Sequence, residues 1–219
     1  RVYPHKNLFS HVIGQIDENN LGISGLEKSY DKELKSGKGP LKITMDANIQ
    51  YLIREELIKF EKVFNNVGSA SILMEIDSGD IISMVSLPDF DINKRETIDD
   101  TNYINRATKG VYELGSVFKT FTLAGALNEG TVKVDTEFKN LPKKITCAGR
   151  KIGEYDDKIP SNLTAEQILI RSGNIGSVRI GQRIGSEKMK VFLNNIGVLN
   201  KIEFDIEEVG EPIPFKWGK

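Results

Sequence analysis

Apolar positions recur at helical spacing in two stretches of the chain, and two short apolar runs flanking a turn read as a pair of strands. Ile49, Leu52, Ile53, Leu57, Phe60 and Phe64 form a stripe with charged residues opposite, which predicts an amphipathic helix whose stripe packs on a core. Asp46 is placed to cap its start, and Asn65, Asn66 and Gly68 to end it. Lys42 to Met45 reads as a short entering strand. Ala70 to Ile76 reads as a strand, Asp77-Ser78-Gly79-Asp80 as a turn, and Ile81 to Ser86 as the returning strand of a hairpin that ends at Pro88. The stretch Pro88 to Asp100 is a polar loop. Phe118, Phe121, Ala124 and Leu127 predict a second helix that stops at Gly130. Thr131 to Lys158 shows no clear periodicity and reads as irregular.

Further on, Thr164 and Gln167 have the form of a capping box for a short helix ending near Arg171. A turn at Ser172 to Asn174 follows, then helices from Ile175 to Ile184 and from Ser186 to Gly197. The tail through Phe204, Pro212, Pro214 and Trp217 reads as loop with one or two short strands. At the other end, residues 1–40 are punctuated by Asn19, Asn20, Gly22, Gly25, Gly37, Gly39 and Pro40. Little regular structure is expected there beyond a short helix from Leu26 to Leu34.

Composition narrows the function classes. The 30 Lys and Arg residues against 31 Asp and Glu give a formal charge of −1, so there is no electrostatic case for a nucleic-acid partner. No apolar run approaches the length of a membrane span, and the chain opens mid-pattern at Arg1-Val2-Tyr3-Pro4 without a leader. Cys147 is the sole cysteine, so no internal disulfide is expected. With two histidines, His5 and His11, both near the start, neither a metal site nor a cofactor is expected.

The candidate chemistry lies at Gly115-Ser116-Val117-Phe118-Lys119. Serine and lysine three residues apart share one helix face. Ser116 would sit in the first helical turn, where the helix dipole favours developing negative charge. A serine hydroxyl is a poor nucleophile until something takes its proton, and a lysine amine can do so once burial lowers its pKa. Alone, such a pair is more often an exposed serine and lysine on a helix surface. Downstream, however, comes Ser172-Gly173-Asn174, and Ser-x-x-Lys followed by Ser-x-Asn is the order of motifs in serine penicillin-binding proteins and β-lactamases.

The flanks extend the resemblance. Asn105-Arg106-Ala107 followed by Tyr112-Glu113-Leu114-Gly115-Ser116-Val117-Phe118-Lys119 resembles the class B penicillin-binding proteins, the peptidoglycan D,D-transpeptidases of cell division and elongation. Gly22 to Glu27, Tyr30-Asp31, Asp46 to Gln50, Asp77 to Ser86 and Pro88 to Asn93 are similar to the same family. Leu114 stands where family usage often has proline. The resemblance implies an α+β fold of the penicillin-binding-protein and β-lactamase type, helix-rich, with the hairpin drawn from a central antiparallel sheet. Residues 1–40 would be the end of a non-catalytic pedestal or linker, and 41–219 the N-terminal part of the transpeptidase domain.

The resemblance also implies roles: Ser116 as nucleophile, Lys119 as its base, Ser172 as a proton relay and Asn174 as a substrate-binding amide. It implies peptidoglycan stem peptides ending in D-alanyl-D-alanine as substrates, β-lactam antibiotics as inhibitors, and a membrane glycan polymerase and division proteins as partners. The setting would be the inner membrane, facing the periplasm, and the short stretch between Pro88 and Asn105 fits the division type. The family's third motif, Lys-Thr-Gly or Lys-Ser-Gly on a late strand, does not follow Asn174. Lys35-Ser36-Gly37 has the letters but precedes the nucleophile in a glycine-rich loop. The chain therefore reads as a weakly active or inactive fragment, cut before that motif, whose hairpin packs on helices or pairs across a dimer. Two alternatives remain: a non-catalytic division scaffold with the same fold, and a β-lactamase or β-lactam sensor domain.

Overall fold

A computed structural model of the chain describes residues 1–94, 100–147 and 149–214. Part of the polar loop after Pro88 (95–99) and the end of the tail, Trp217 included, lie outside the described residues. The chain divides into two units, one of residues 1–111 with 201–211 and one of 112–200 with the tail from 212.

In the first unit, α4 (Ala47–Phe64) starts where its cap dictates. The Asp46 carboxylate accepts from the N–H groups of Asn48 and Ile49, and Asn65 closes the helix in a left-handed conformation at φ 49°. Three short helices precede it: α1 (Ser10–Ile13), α2 (Gly25–Ser29) and α3 (Asp31–Lys35). The expected Leu26–Leu34 helix is thus broken at Tyr30. Tyr3, Phe9, Val12 and Ile16 are buried, so the opening segment contributes to the core despite its many turn formers. No strand forms over Lys42 to Met45. Among the described residues the Thr44 hydroxyl donates to the Ile81 carbonyl and the N–H of the following Asp46 donates to Ile82, too few contacts to build a ladder.

The hairpin forms as expected. β1 (Ser69–Met74) pairs antiparallel with β2 (Ile81–Leu87), with an irregularity at Leu73/Met74. The two strands differ in burial: Ser83 to Leu87 are all buried, whereas β1 is largely exposed. Helix α4 packs on β2 through a polar residue. Gln50 is 1% exposed, and its side-chain amide donates to the carbonyls of Leu8 and Met84 while accepting from the Ser83 hydroxyl and the Met84 N–H. The apolar stripe does not face the core as expected. Ile49, Ile53 and Leu57 are half-buried, and Leu52, Phe60 and Phe64 are exposed. Periodicity identified the helix, but the face turned to β2 is the one that carries Gln50.

The second unit opens with a 3-10 turn, Gly115–Phe118, running directly into α5 (Lys119–Asn128). The segment 131–158, expected to be irregular, contains three short strands. β3 (Glu137–Phe138) pairs with β6 (Leu163–Thr164), and β4 (Lys144–Cys147) pairs with β5 (Arg150–Gly153). The Thr164–Gln167 capping box opens α6 (Ala165–Ile170), followed by α7 (Asn174–Ile184) and α8 (Ser186–Asn195). Residues 201–214 carry no strand. Leu123, Ala126, Phe138, Ile168, Ile175, Ile180 and Ile184 form the core of this unit. Helices surrounding short antiparallel pairs make an α+β architecture.

Helices α6 and α7 meet where there is no side chain to separate them. A Cβ placed on Gly176 would lie 2.5 Å from Cγ1 of Ile168, and Ile168 is fully buried. Gly176→Ala is therefore expected to lower stability by about 1–3 kcal/mol, read as a reduced urea midpoint with unchanged slope. A wild-type midpoint would show that the two helices are not held this closely.

Candidate functional site

The 3-10 turn before α5 sets the geometry of the first motif. Gly115 takes φ 55°, a conformation that costs glycine little, and the chain then winds tightly through Ser116. Ser116 lies within this turn, and Lys119 is the first residue of α5. Ser116 is exposed and Lys119 half-buried. The expected helical start is thus present, with the serine in a 3-10 turn rather than in the α-helix itself.

The second motif is a bend between two helices. After α6 the N–H groups of Ser172 and Gly173 bond back to the carbonyls of Leu169 and Ile168. Ser172 sits at φ 50°, a left-handed conformation uncommon for a residue with a Cβ. Helix α7 then begins at Asn174. This bend lies against the Lys119 amine. Lys119 Nζ is 2.6 Å from the Ser172 carbonyl oxygen, 3.0 Å from Ser172 Oγ and 2.6 Å from Asn174 Oδ1. An ammonium has three N–H donors, and these three acceptors match them. Among the described residues Ser116 Oγ is not a hydrogen-bond partner of the amine.

Asn174 is oriented from its other side as well. Its Nδ2 donates to the Gly153 carbonyl at 2.8 Å, so the amide oxygen is turned toward Lys119. The Glu154 carboxylate accepts from the backbone N–H groups of Asn174 and Ile175, at 2.6 and 3.0 Å. Neither Gly153 nor Glu154 was singled out from the sequence. The available signal was the pair of short runs Lys144–Cys147 and Arg150–Gly153 on either side of Gly149, which is the pattern of a small hairpin.

Electrostatics favour a reactive amine. Burial pushes Lys119 below the ordinary lysine pKa, and the Glu154 carboxylate opposes that shift in part. Desolvation penalises the charged form, so more of this amine is neutral at a given pH than of an exposed lysine. A neutral lysine carries a lone pair able to take a proton from a nearby hydroxyl.

A chain with this fold and these two motifs falls in a known class. Residues 69–218 match the model of the penicillin binding protein transpeptidase domain, and the chain belongs to that family. It is 30% identical over 225 residues to the probable peptidoglycan D,D-transpeptidase FtsI of Caulobacter vibrioides, covering 100% of this chain and 38% of that protein. It is 28% identical over 243 residues to the stage V sporulation protein D of Bacillus subtilis, covering 98% of this chain and again 38% of the relative. The chain therefore spans well under half the length of these curated relatives. Among solved structures, the D,D-transpeptidase domain of a peptidoglycan glycosyltransferase from Eggerthella lenta superposes with a TM-score of 0.82 at 26% identity, covering 98% of this chain and 51% of that one. A peptidoglycan synthetase from Bifidobacterium adolescentis shares the fold with a TM-score of 0.85 at 20% identity, covering 100% and 45%.

The depressed lysine gives a direct expectation. In a carbon-13 titration of lysine side chains, the Lys119 ε-carbon resonance should report loss of the amine proton at lower pH than that of exposed lysines such as Lys59, as the sign of its shift requires. Coincident titration of the two would contradict the burial argument.

Proposed function

We propose that the protein is a peptidoglycan D,D-transpeptidase working through a serine acyl-enzyme, with Ser116 as the nucleophile. One observation carries the reading: the Lys119 amine, three residues along the chain from Ser116, is held by Ser172 and Asn174. Membership of the transpeptidase family and the names of the relatives support the same chemistry.

In this reading Ser116 Oγ attacks the carbonyl carbon between two D-alanines of a stem peptide while neutral Lys119 takes the hydroxyl proton. The negative charge develops on the carbonyl oxygen. The Ser116 backbone N–H, at the start of a helical turn, is of the kind left without an intrahelical partner and serves as one oxyanion donor. As the tetrahedral centre collapses, the C–N bond breaks. The Lys119 proton passes by way of Ser172 Oγ, 3.0 Å away, to the departing D-alanine amine. An amine of a second stem peptide then attacks the ester, its proton returns through the same groups, and Ser116 is released as the cross-link forms.

Asn174 Nδ2 has two N–H groups. One is given to Gly153 and the other is available to an amide of the substrate. A β-lactam presents a strained amide in place of D-alanyl-D-alanine, and its leaving nitrogen stays tethered, so the ester persists. None of these steps requires a metal or cofactor. The cellular setting belongs to the same proposal: a membrane-anchored protein facing the periplasm, working with a glycan polymerase and division proteins. Among the described residues no helix is long and apolar enough to cross a membrane.

Labelling with a fluorescent penicillin tests the assignment. The intact protein should carry the label and Ser116→Ala should carry none. Lys119→Arg, which keeps the charge but cannot give up a proton, should acylate about 100- to 10,000-fold more slowly. Wild-type labelling of folded Ser116→Ala, or no labelling of the folded wild type, would overturn the proposal.

A further inference from the structure

Helix α7 (Asn174–Ile184) lacks a cap of its own. Its N-cap residue is Gly173, which has no side chain to offer, and the first N–H groups of any helix have no partner within it. The partner comes from 20 residues earlier in the chain. Glu154 stands at the exit of β5, where its own N–H is anchored to the Lys143 carbonyl at 3.1 Å. Its two carboxylate oxygens divide the work: one accepts from Asn174 N–H at 2.6 Å and the other from Ile175 N–H at 3.0 Å. The preceding residue, Gly153, accepts from the Asn174 side chain at 2.8 Å. Two consecutive residues of one hairpin thus hold both the backbone and the side chain of Asn174. Its remaining polar atom, Oδ1, meets Lys119 Nζ at 2.6 Å.

We infer that Glu154 is a positioning residue of the acylation site: its carboxylate caps α7 and thereby fixes Asn174 against the Lys119 amine. Glu154 does not touch Lys119 and acts on it through Asn174 and through its charge. A negative charge at a helix N-terminus is favourable for the helix, and the same charge favours the ammonium form of the nearby lysine. The other groups bonded to the amine, Ser172 and Asn174, carry no charge, so removing the carboxylate acts in one direction. The kinetic part of this inference rests on the reading of Ser116 and Lys119 given above, whereas the structural part does not.

Two variants and two readouts separate the cases. Glu154→Ala removes both acceptors and the charge, while Glu154→Gln removes the charge and one of the two acceptors. Amide hydrogen exchange followed by NMR should show Asn174 and Ile175 exchanging about tenfold or more faster in Glu154→Ala, with Leu193 in α8 unchanged and Glu154→Gln intermediate. Acylation by fluorescent penicillin should slow in Glu154→Ala by about 100-fold, the cost of roughly 1 Å of misplacement. In Glu154→Gln the rising limb of acylation against pH should move to lower pH, a change that a purely structural role would not produce.

Unchanged exchange at Asn174 and Ile175 would overturn the inference. So would faster exchange with wild-type acylation in both variants, since the cap would then position nothing that matters to the reaction. If the wild type itself is not acylated, the Ser116 reading falls, and the exchange data alone uphold or overturn the role of Glu154 as the cap.

Discussion

The structure depends on how one amine is held. Lys119 Nζ leaves bulk water and meets a backbone carbonyl, a hydroxyl and an amide oxygen contributed by a bend two helices away in sequence. Burial alone would expel the proton, and hydrogen-bond acceptors alone would retain it. The combination keeps the amine in place while making its proton easier to lose, which is what a base for a neighbouring hydroxyl requires. A lysine of the same charge on a flexible exposed stem would be neither fixed nor depressed.

The rest of the second unit supports that contact. The Ser172 bend holds its left-handed backbone because α6 and α7 are pinned on either side of it. The Thr164 capping box starts α6, and Glu154 caps α7. Gly176 lets the helices approach until Ile168 fills the space between them. The buried core that runs from Leu123 and Ala126 to Ile180 and Ile184 joins α5, which carries the lysine, to α7, which begins with the asparagine. The spacing between the two motifs is therefore a property of the packing of one unit and does not rely on loop conformation.

Local signals were legible in the sequence. Asp46 and the Thr164–Gln167 pair marked helix starts because capping is decided within four residues, and the hairpin was marked by short apolar runs on either side of a Gly-containing turn. The Ser116–Lys119 and Ser172–Asn174 motifs could be read because their order is specific. What could not be read depended on partners distant in sequence. The exposed side of the α4 stripe, with Leu52, Phe60 and Phe64 in solvent, could not be inferred from its period, since amphipathicity shows that a helix has a face but not what covers it. Gln50 gave no signal as the residue that joins α4 to β2. Glu154 looked like one acid among several in a segment without periodicity, and its role shows only once the hairpin of β4 and β5 brings it to the start of α7.

The most direct measurement is a crystal structure of the intact protein after reaction with a β-lactam. The account predicts an ester bond to Ser116 Oγ, with Lys119 Nζ still within hydrogen-bond distance of Ser172 and Asn174. An adduct on any other residue, or an ester on Ser116 with Lys119 swung away from the Ser172 bend, would contradict it.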